Sequence, residues 1–239
     1  WPETAVPADL SIDLLWEQRI MEMVRVSHVP LLTGLVVERD GKFFNSAKLI
    51  IPSGGISGKA YQKQQLVPFS EYIPGGVWGE RLAEKFKIFS YHFSAGENNG
   101  ILEFPGWGKI GVLICSEDVI PRLAREEAVL GARLLFVLLN DGWFHAPAGL
   151  RLHLQQSVMR AVEIRIPVVR VSNNGWSAYI DPLGKVDSGQ LRPYQQGTAS
   201  WSVRTDRLKT SYGYWGDFIS VFCFVFVIII NVFRLLSAR

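Results

Sequence analysis

The sequence predicts an α/β domain followed by a membrane-spanning helix. Short apolar runs alternate with amphipathic ones in a strand–helix rhythm, and several neighbouring strands lack an intervening helix, which indicates a mixed sheet. The segment 218–233 is almost uninterruptedly apolar. With 239 residues, 48% of them hydrophobic, the chain can bury one sizeable core. We therefore predict one domain over residues 1–212 and a membrane tail over residues 213–239.

The first fifty residues predict a strand end, a helix and a hairpin. The residues 1–3 are typical of the end of a strand, and Asp9 is a candidate cap for a helix that ends at Pro30. Two strands follow at 31–38 and 43–51, joined by an Asp-Gly turn, which is a strong hairpin signal.

The segment 52–100 is looser and rich in Gly, Pro and aromatic residues, with a short helix predicted at 78–86. Irregular chain of this length inside a compact domain usually has a function. We therefore interpret this segment as an active-site loop whose apolar side chains form a lid.

Regular elements return after residue 100. The helices are bounded by Pro at their starts or ends and by Gly131. In order, the sequence predicts a strand at 109–115, a helix at 121–130, a strand at 134–139, a helix at 150–165, strands at 168–171 and 176–180, a turn at 181–184 and a strand at 200–203.

The tail predicts a transmembrane helix. A span needs about 20 apolar residues, which this run reaches if Leu235 and Leu236 are included and Arg234 extends its charge to the interface. A buried β-rich segment is the alternative, favoured by the many Val, Ile and Phe residues, but no turn residue interrupts the run. Arg234 and Arg239 follow the span, which favours a cytoplasmic C-terminus and a domain on the opposite side.

Composition excludes several classes of function. The net charge of +3 comes from 25 basic and 22 acidic residues scattered along the chain, so we predict no nucleic-acid partner. Two cysteines are too few for a disulfide framework. The four histidines form no short paired motif and are interpreted as structural, so we predict neither a metal site nor a cofactor.

Cys115 lies where an apolar strand gives way to polar residues, and α/β folds place nucleophiles at such strand ends. A thiol attacks carbonyl groups as a thiolate, so it needs a base or a nearby positive charge. Glu3 is available as the base and Lys63 as a cation that stabilises an oxyanion. Taken singly, each has a structural alternative: a core cysteine, a surface carboxylate and a solvated lysine. Spacing alone leaves that choice open.

Six sequence blocks are spread over nearly the whole chain. They are Trp-Pro-Glu-Thr-Ala at 1–5, Asn-Ser-Ala at 45–47, Tyr-Gln-Lys-Gln-Gln-Leu-Val-Pro-Phe-Ser-Glu-Tyr at 61–72, Gly-Val-Leu-Ile-Cys-Ser-Glu at 111–117, Asn-Asp-Gly-Trp-Phe at 140–144 and Asn-Asn-Gly-Trp-Ser-Ala-Tyr-Ile-Asp-Pro at 173–182. Their order resembles that found in the nitrilase, or carbon–nitrogen hydrolase, superfamily. More narrowly, the chain resembles the bacterial apolipoprotein N-acyltransferases.

The resemblance implies a four-layer αββα sandwich outside the bacterial inner membrane, with its first strand and helix upstream of Trp1 and a bundle of membrane helices of which only the last is present. It also implies a reaction. The cysteine takes a fatty acyl chain from a phospholipid donor as a thioester and passes it to the N-terminal amine of a diacylglyceryl-cysteine in an apolipoprotein.

Site residues follow from the same resemblance. Glu3 matches the general base, Lys63 the oxyanion-stabilising lysine and Cys115 the nucleophile. Glu71 and Glu117 match two supporting carboxylates, which we expect to hold Lys63 charged and oriented.

Trp143 and Phe144 match a motif near the acyl chain, although as large apolar residues they would also suit a core. Three positions depart from the family pattern: Gln65 replaces His, Ser70 replaces Gly, and Ser116 replaces a Tyr that shapes the acyl-binding wall. The change at Ser116 predicts an altered chain-length or donor preference.

Two other functions stay open. A carbon–nitrogen hydrolase acting on a small amide or nitrile would use the same Glu-Lys-Cys triad, with water as the acceptor. A membrane-anchored binding module would have the fold without the chemistry. The membrane tail disfavours the first, and the presence of all three triad residues disfavours the second.

Overall fold

The computed structural model describes residues 1–54, 59–86, 92–144, 146–187, 189–205 and 209–237. Helices alternate with strands through most of this length. The helices are α1 (Leu14–Ser27), α2 (Gly76–Lys85), α3 (Pro121–Val129), α4 (Pro147–Ile164), α5 (Ser211–Trp215) and α6 (Phe218–Ser237). The strands are β1 (Leu31–Arg39), β2 (Lys42–Ile50), β3 (Ala60–Gln62), β4 (Leu102–Phe104), β5 (Gly108–Ile114), β6 (Leu135–Leu139), β7 (Val168–Ser172) and β8 (Ala178–Ile180).

The strands form two sheets. The first has the order β1-β2-β3 and is antiparallel, and its hairpin turns through Asp40 and Gly41, both with positive φ (53° and 70°), as a two-residue turn requires. The second has the order β4-β5-β6-β7-β8. Its three central strands are parallel and its two edge strands antiparallel, because α3 and α4 return the chain between β5, β6 and β7. The predicted mixed sheet is therefore confirmed.

Three apolar clusters define four layers. In the first, α1 packs on the outer face of the first sheet. In the second, the two sheets meet through residues such as Tyr61 of β3 and Ile114 of β5. In the third, α3 and α4 cover the outer face of the second sheet, where Leu113 of β5 points. Alternate residues of β5 thus serve two different layers, as the strand period of two demands. The layer order is αββα.

Near the N-terminus the structure corrects one prediction. The residues 1–3 run along β1 as a strand end does: the Trp1 amino group donates to the Leu32 carbonyl oxygen (2.8 Å), the Gly34 N–H donates to the Pro2 carbonyl oxygen (3.2 Å), and Val6 makes the first bridge. The first helix begins at Leu14 because Asp13 caps it. The Asp9 carboxylate instead accepts from the Glu38 backbone N–H (2.7 Å).

The strand predicted at 200–203 is wrong. Val186 bridges Ile180 of β8 and Leu191 bridges Ser177 just before it, so these residues occupy the outer edge of β8. Trp201 and Val203 still pack against the cluster between the sheets, which accounts for their apolar character. Elsewhere the predicted elements are present with bounds shifted by one to three residues. Parts of the predicted loop (55–58 and 87–91) and the end of the tail (238–239) lie outside the described residues.

The tail is helical, so the buried β-rich alternative is wrong. An 18-residue window of α6, Phe218–Leu235, has a mean hydropathy of 2.6, and none of it is buried. A 20-residue helix is about 30 Å long, which matches the hydrocarbon thickness of a bilayer. Exposed aromatic and branched side chains around the whole helix need an apolar environment.

Candidate active site

Cys115 follows β5 directly and opens a short 3₁₀ turn, Cys115–Val119. Its φ is 53°, in the left-handed region that side chains other than glycine rarely adopt. Such strain persists only where the surroundings impose it, and it is concentrated at functional sites. The buried strand therefore delivers a partly buried thiol at its carboxyl end, as the sequence predicted.

Glu117 holds this turn in place. Its fully buried carboxylate accepts from the Ile114 N–H (2.8 Å), the Tyr61 hydroxyl (2.7 Å) and the Gln64 and Gln65 N–H groups (2.7 and 3.1 Å). Burial raises the pKa of Glu117, although these donors oppose the shift. Glu117 makes no hydrogen bond to Lys63 in the described part of the chain, but the Lys63 charge lowers the pKa of Glu117, so the two groups interact through charge. Glu117 fastens the cysteine turn to the end of β3.

Lys63, Glu71, Asn45 and Glu3 form the site cluster, together with Cys115. The Lys63 Nζ is buried and lies 3.0 and 2.8 Å from the two carboxylate oxygens of Glu71. The Asn45 amide donates to Glu71 (3.2 Å) and to Glu3 (2.6 Å), and so bridges the two carboxylates. The expected pairing of Glu71 with Lys63 is present.

Glu3 reaches the cluster because its segment packs closely on β1. A side chain at Gly34 would lie 2.6 Å from the Glu3 Cα, so only glycine admits this approach. The second Glu3 oxygen accepts from the Asn140 N–H (2.7 Å), which follows β6. Glu3 is therefore held from two directions, by Asn45 of the first sheet and by Asn140 of the second.

The groups of the site cluster perturb one another's ionisation. Burial raises the pKa of Glu3, with the Lys63 charge opposing the shift. Burial lowers the pKa of Lys63, but its electrostatic interactions with Cys115, Glu3 and Glu71 and its hydrogen bond to Glu71 outweigh burial, and the net shift is upward. Burial raises the pKa of the Cys115 thiol well above its usual range, and Glu3 adds to the effect while Lys63 opposes it. Cys115 thus rests as a thiol beside a basic carboxylate and a permanent cation.

The predicted acyl-contact residues lie on the turn after β6. Trp143 and Phe144 are 59% and 38% exposed, so they do not fill the core. Ser116 is partly buried next to Cys115, and its backbone N–H lowers the thiol pKa. Gln65 helps to line a cavity of about 380 Å³ with Gln64, Leu66, Tyr72, Phe93 and Ala95. Ser70 is partly buried in the turn directly before Glu71.

A second buried cluster, which the sequence does not predict and which we call the charge ring, consists of Asp118, Asp141, His153 and Arg170. The two aspartates follow β5 and β6, the histidine lies on α4, and the arginine lies in the middle of β7. A signal was available, because an arginine inside an apolar strand is almost never buried without a partner.

Comparison with known proteins defines the class. The chain belongs to the carbon–nitrogen hydrolase family, whose family model matches residues 1–207. In fold it is similar to an amidase from Nesterenkonia sp. (TM-score 0.59, 22% identity, covering 80% of this chain and 72% of that one) and to Saccharomyces cerevisiae Nit3 of the nitrilase superfamily (TM-score 0.59, 18% identity, covering 76% and 62%). The predicted nitrilase-type fold is confirmed.

Within that class, the chain is similar to the apolipoprotein N-acyltransferase of Geobacter metallireducens, with 33% identity over 227 residues. It is 36% identical over 194 residues to apolipoprotein N-acyltransferase 1 of Treponema denticola. These matches cover 93% and 79% of this chain but 43% and 35% of the relatives. The chain therefore spans less than half the length of these curated relatives.

Proposed function

We propose that this chain carries the catalytic domain of a membrane-bound N-acyltransferase. It moves a fatty acyl chain from a phospholipid, through a thioester on Cys115, to the N-terminal amine of diacylglyceryl-cysteine in an apolipoprotein. The observation that carries the proposal is the site cluster itself. A base, a cation and a thiol that are far apart in sequence share one buried location, in a chain that ends in an apolar helix.

In the first half-reaction, Glu3 accepts the Cys115 proton while the sulfur attacks the ester carbonyl carbon of the phospholipid. The raised pKa of Glu3 makes it a stronger base than an exposed carboxylate. The tetrahedral intermediate collapses by breaking the ester C–O bond. The departing oxygen takes the proton back from Glu3, so the products are the acyl thioester and a lysophospholipid.

Lys63 stabilises the oxyanion of that intermediate. An ammonium group has three donors, and with Glu71 engaging two of them a further N–H remains for the developing charge. Its raised pKa keeps the group charged throughout the physiological range. Glu71 holds the lysine in one orientation, also accepting from the Val67 N–H (2.8 Å).

In the second half-reaction, the acceptor amine attacks the thioester. Its extra proton passes to Glu3, the C–S bond breaks, and the sulfur leaves with the proton from Glu3. An amide forms and the thiol is restored. The same base and the same oxyanion donor therefore serve both halves, and the enzyme returns to its resting protonation state.

Several surfaces suit a lipid substrate. The amphipathic helix α2 exposes Val77, Trp78 and Leu82 (63%, 78% and 60%) beside the basic Arg81, a combination typical of membrane interfaces. We interpret it as part of the lid that meets lipid tails. The domain would lie on the periplasmic side of the inner membrane, with the C-terminal end of α6 in the cytoplasm because Arg234 lies in the last turn of that helix.

A carbon–nitrogen hydrolase acting on a small amide is the second candidate, favoured by the family match and by the fold shared with an amidase. Water would replace the amine in the second half-reaction. The exposed α6 and the outward-facing Trp143 and Phe144 favour the lipid substrate, because a small polar amide needs neither.

Intact mass spectrometry tests the proposal. The full-length protein, purified in detergent and incubated with phospholipid, should gain one acyl mass that hydroxylamine removes. Cys115→Ala should gain none. Cys223→Ala is the matched control, because it removes the chain's other cysteine, which is exposed on α6 outside the site, and it should acylate normally.

Three outcomes would contradict the proposal. Acylation that survives Cys115→Ala would remove the nucleophile from the mechanism. A folded protein that gains no acyl group but releases ammonia from a short aliphatic amide would favour the hydrolase. A protein that did neither would favour the non-catalytic binding module.

A further inference from the structure

The charge ring lies beneath the site cluster and joins the two turns on which that cluster depends. Asp118 belongs to the turn opened by Cys115, and Asp141 follows Asn140, the residue that donates to Glu3. The carboxyl ends of neighbouring parallel strands meet at one edge of a sheet, so the two aspartates lie side by side there.

Each aspartate divides its oxygens between the two cations. His153 contacts Asp118 Oδ1 through Nε2 (2.9 Å) and Asp141 Oδ1 through Nδ1 (2.7 Å). Arg170 donates to Asp118 Oδ2 (3.1 Å) and Asp141 Oδ2 (2.9 Å). All four side chains are at most 5% exposed. The result is a closed ring in which charges of opposite sign alternate.

We propose that His153 is a positioning residue, which bonds Asp118 through one ring nitrogen and Asp141 through the other and so fixes the Cys115 turn against the Asn140 turn that holds Glu3. This inference rests on the function proposed above. Proton transfer between Cys115 and Glu3 depends on their separation, and a shift of about 1 Å can cost a hundredfold in rate. Arg170 lies in β7 and supports the same aspartates from the sheet below.

The geometry requires a doubly protonated ring. A neutral imidazole has one N–H, so its other nitrogen would point a lone pair at a carboxylate oxygen. Burial and the Arg170 charge lower the pKa of His153, but the hydrogen bonds and charges of Asp118 and Asp141 raise it to about 9. Arg160 of α4 approaches from a third side, donating to the carbonyl oxygen of Asp118 (3.2 Å). With His153 protonated, the ring carries two positive and two negative charges.

A double-mutant cycle separates positioning from simple support of the fold. The full-length protein is mixed with p-nitrophenyl butyrate, and the burst of p-nitrophenolate reports acylation of Cys115. His153→Gln should slow the burst at least about tenfold when Glu3 is present, and less than about twofold in a Glu3→Gln background, where the base it positions is already lost. His28→Gln, an exposed histidine at the end of α1, is the matched control.

The outcomes distinguish the two proposals. No burst from the wild-type protein would refute the cysteine chemistry. If the wild-type protein gives a burst but His153→Gln slows it equally with Glu3 present and in the Glu3→Gln background, the positioning role would be refuted and the cysteine chemistry would stand. The reason is that a structural defect slows the burst whether or not Glu3 is there. NMR of ¹⁵N-labelled histidine adds a readout independent of rate: the His153 ring should show two N–H protons up to about pH 9. One N–H at pH 7 would overturn the inference.

A milder variant keeps the test decisive if His153→Gln does not fold. The Ser157 hydroxyl donates to Asp118 Oδ2 (2.5 Å) and accepts from Arg170 (3.0 Å). Ser157→Ala leaves the histidine in place but loosens the Asp118 side. We expect about a threefold slower burst, again only in the presence of Glu3, with the apparent dissociation constant of the ester unchanged.

Discussion

The two buried polar clusters of this protein differ in how fully their groups are satisfied. In the charge ring every carboxylate oxygen faces a cation, and positive and negative charges balance. In the site cluster two carboxylates and a thiol share one ammonium, and Asn45 Oδ1 is buried with no partner among the described residues. Burying a polar group without a partner costs free energy, so such groups indicate a site where a proton is transferred and a substrate binds. The saturated ring, in contrast, holds position.

Breaking the saturated ring should cost the most. Arg170→Met leaves Asp118 and Asp141 with one buried cation between them, and removing one partner of a buried ion pair typically costs about 3–5 kcal/mol. Arg122→Met is the matched control, since Arg122 pairs with Glu126 at the surface, where such pairs contribute about 0–1 kcal/mol. Chemical denaturation measures both. Equal losses would mean that the ring contributes no more than a surface ion pair.

The charge ring also shows which features local sequence patterns do not predict. Apolar runs and turn residues predict β5 and the position of Cys115 at its end. The partners of Glu117 outside its own turn could not be predicted, because they lie on β3 and just after it, more than fifty residues away, and depend on how the two sheets pack. His153 was interpreted as an ordinary structural histidine. Its spacing of four residues from Ser157 and the isolated Arg170 in an apolar strand were the available signals of a buried network.

The start of the first helix was predicted wrongly for a related reason. Asp9 and Asp13 are both residues of a type that caps helices, but the Asp9 carboxylate accepts a hydrogen bond from the Glu38 N–H, and Asp13 caps the helix. Within the site cluster, Glu3, Lys63 and Cys115 are candidates by residue type, the family resemblance adds their roles and Glu71, and Asn45 is not predicted. The geometry of the cluster, with Asn45 bridging Glu3 and Glu71, follows from packing that periodicity does not describe.

Removing the Lys63 ammonium from the site cluster should lower the rate of Cys115 acylation more than it disturbs the fold of the domain. Lys63→Met deletes the oxyanion donor, and the loss of one such donor typically costs about 10²–10³ in rate. The control is Lys59→Met, an exposed lysine that contacts Asn99. Burst kinetics with the activated ester measure both, and circular dichroism checks folding. A Lys63→Met protein that is folded and within threefold of wild type would exclude an oxyanion role.

The Glu127 carboxylate is half paired, between the fully paired charge ring and the site cluster. One oxygen accepts from the Gly100 N–H (2.7 Å), and the other is buried without a partner in the described structure. Burial raises its pKa from 4.5 to about 7. A carboxyl whose pKa is higher in the folded state stabilises below pH 4.5 and loses that contribution as pH rises through 7. Glu127→Gln should therefore be more stable than wild type at pH 8, by about 1–3 kcal/mol, and little changed at pH 5. Denaturation at the two pH values measures the difference, and an equal change at both would contradict the assigned ionisation.

The smallest effect is expected at Ser116, whose backbone N–H donates to the thiol and whose small side chain is partly buried. Ser116→Tyr should reduce the space for the acyl chain beside the thiol without disturbing the charge ring or Glu117. Since one methylene in an apolar pocket changes discrimination by about 10–200-fold at most, we expect a shift of about fivefold in the ratio of burst rates for butyrate and decanoate esters. Stability should stay constant. A uniform change for both esters would place Ser116 with the groups that act on the thiol, rather than with those that select the chain.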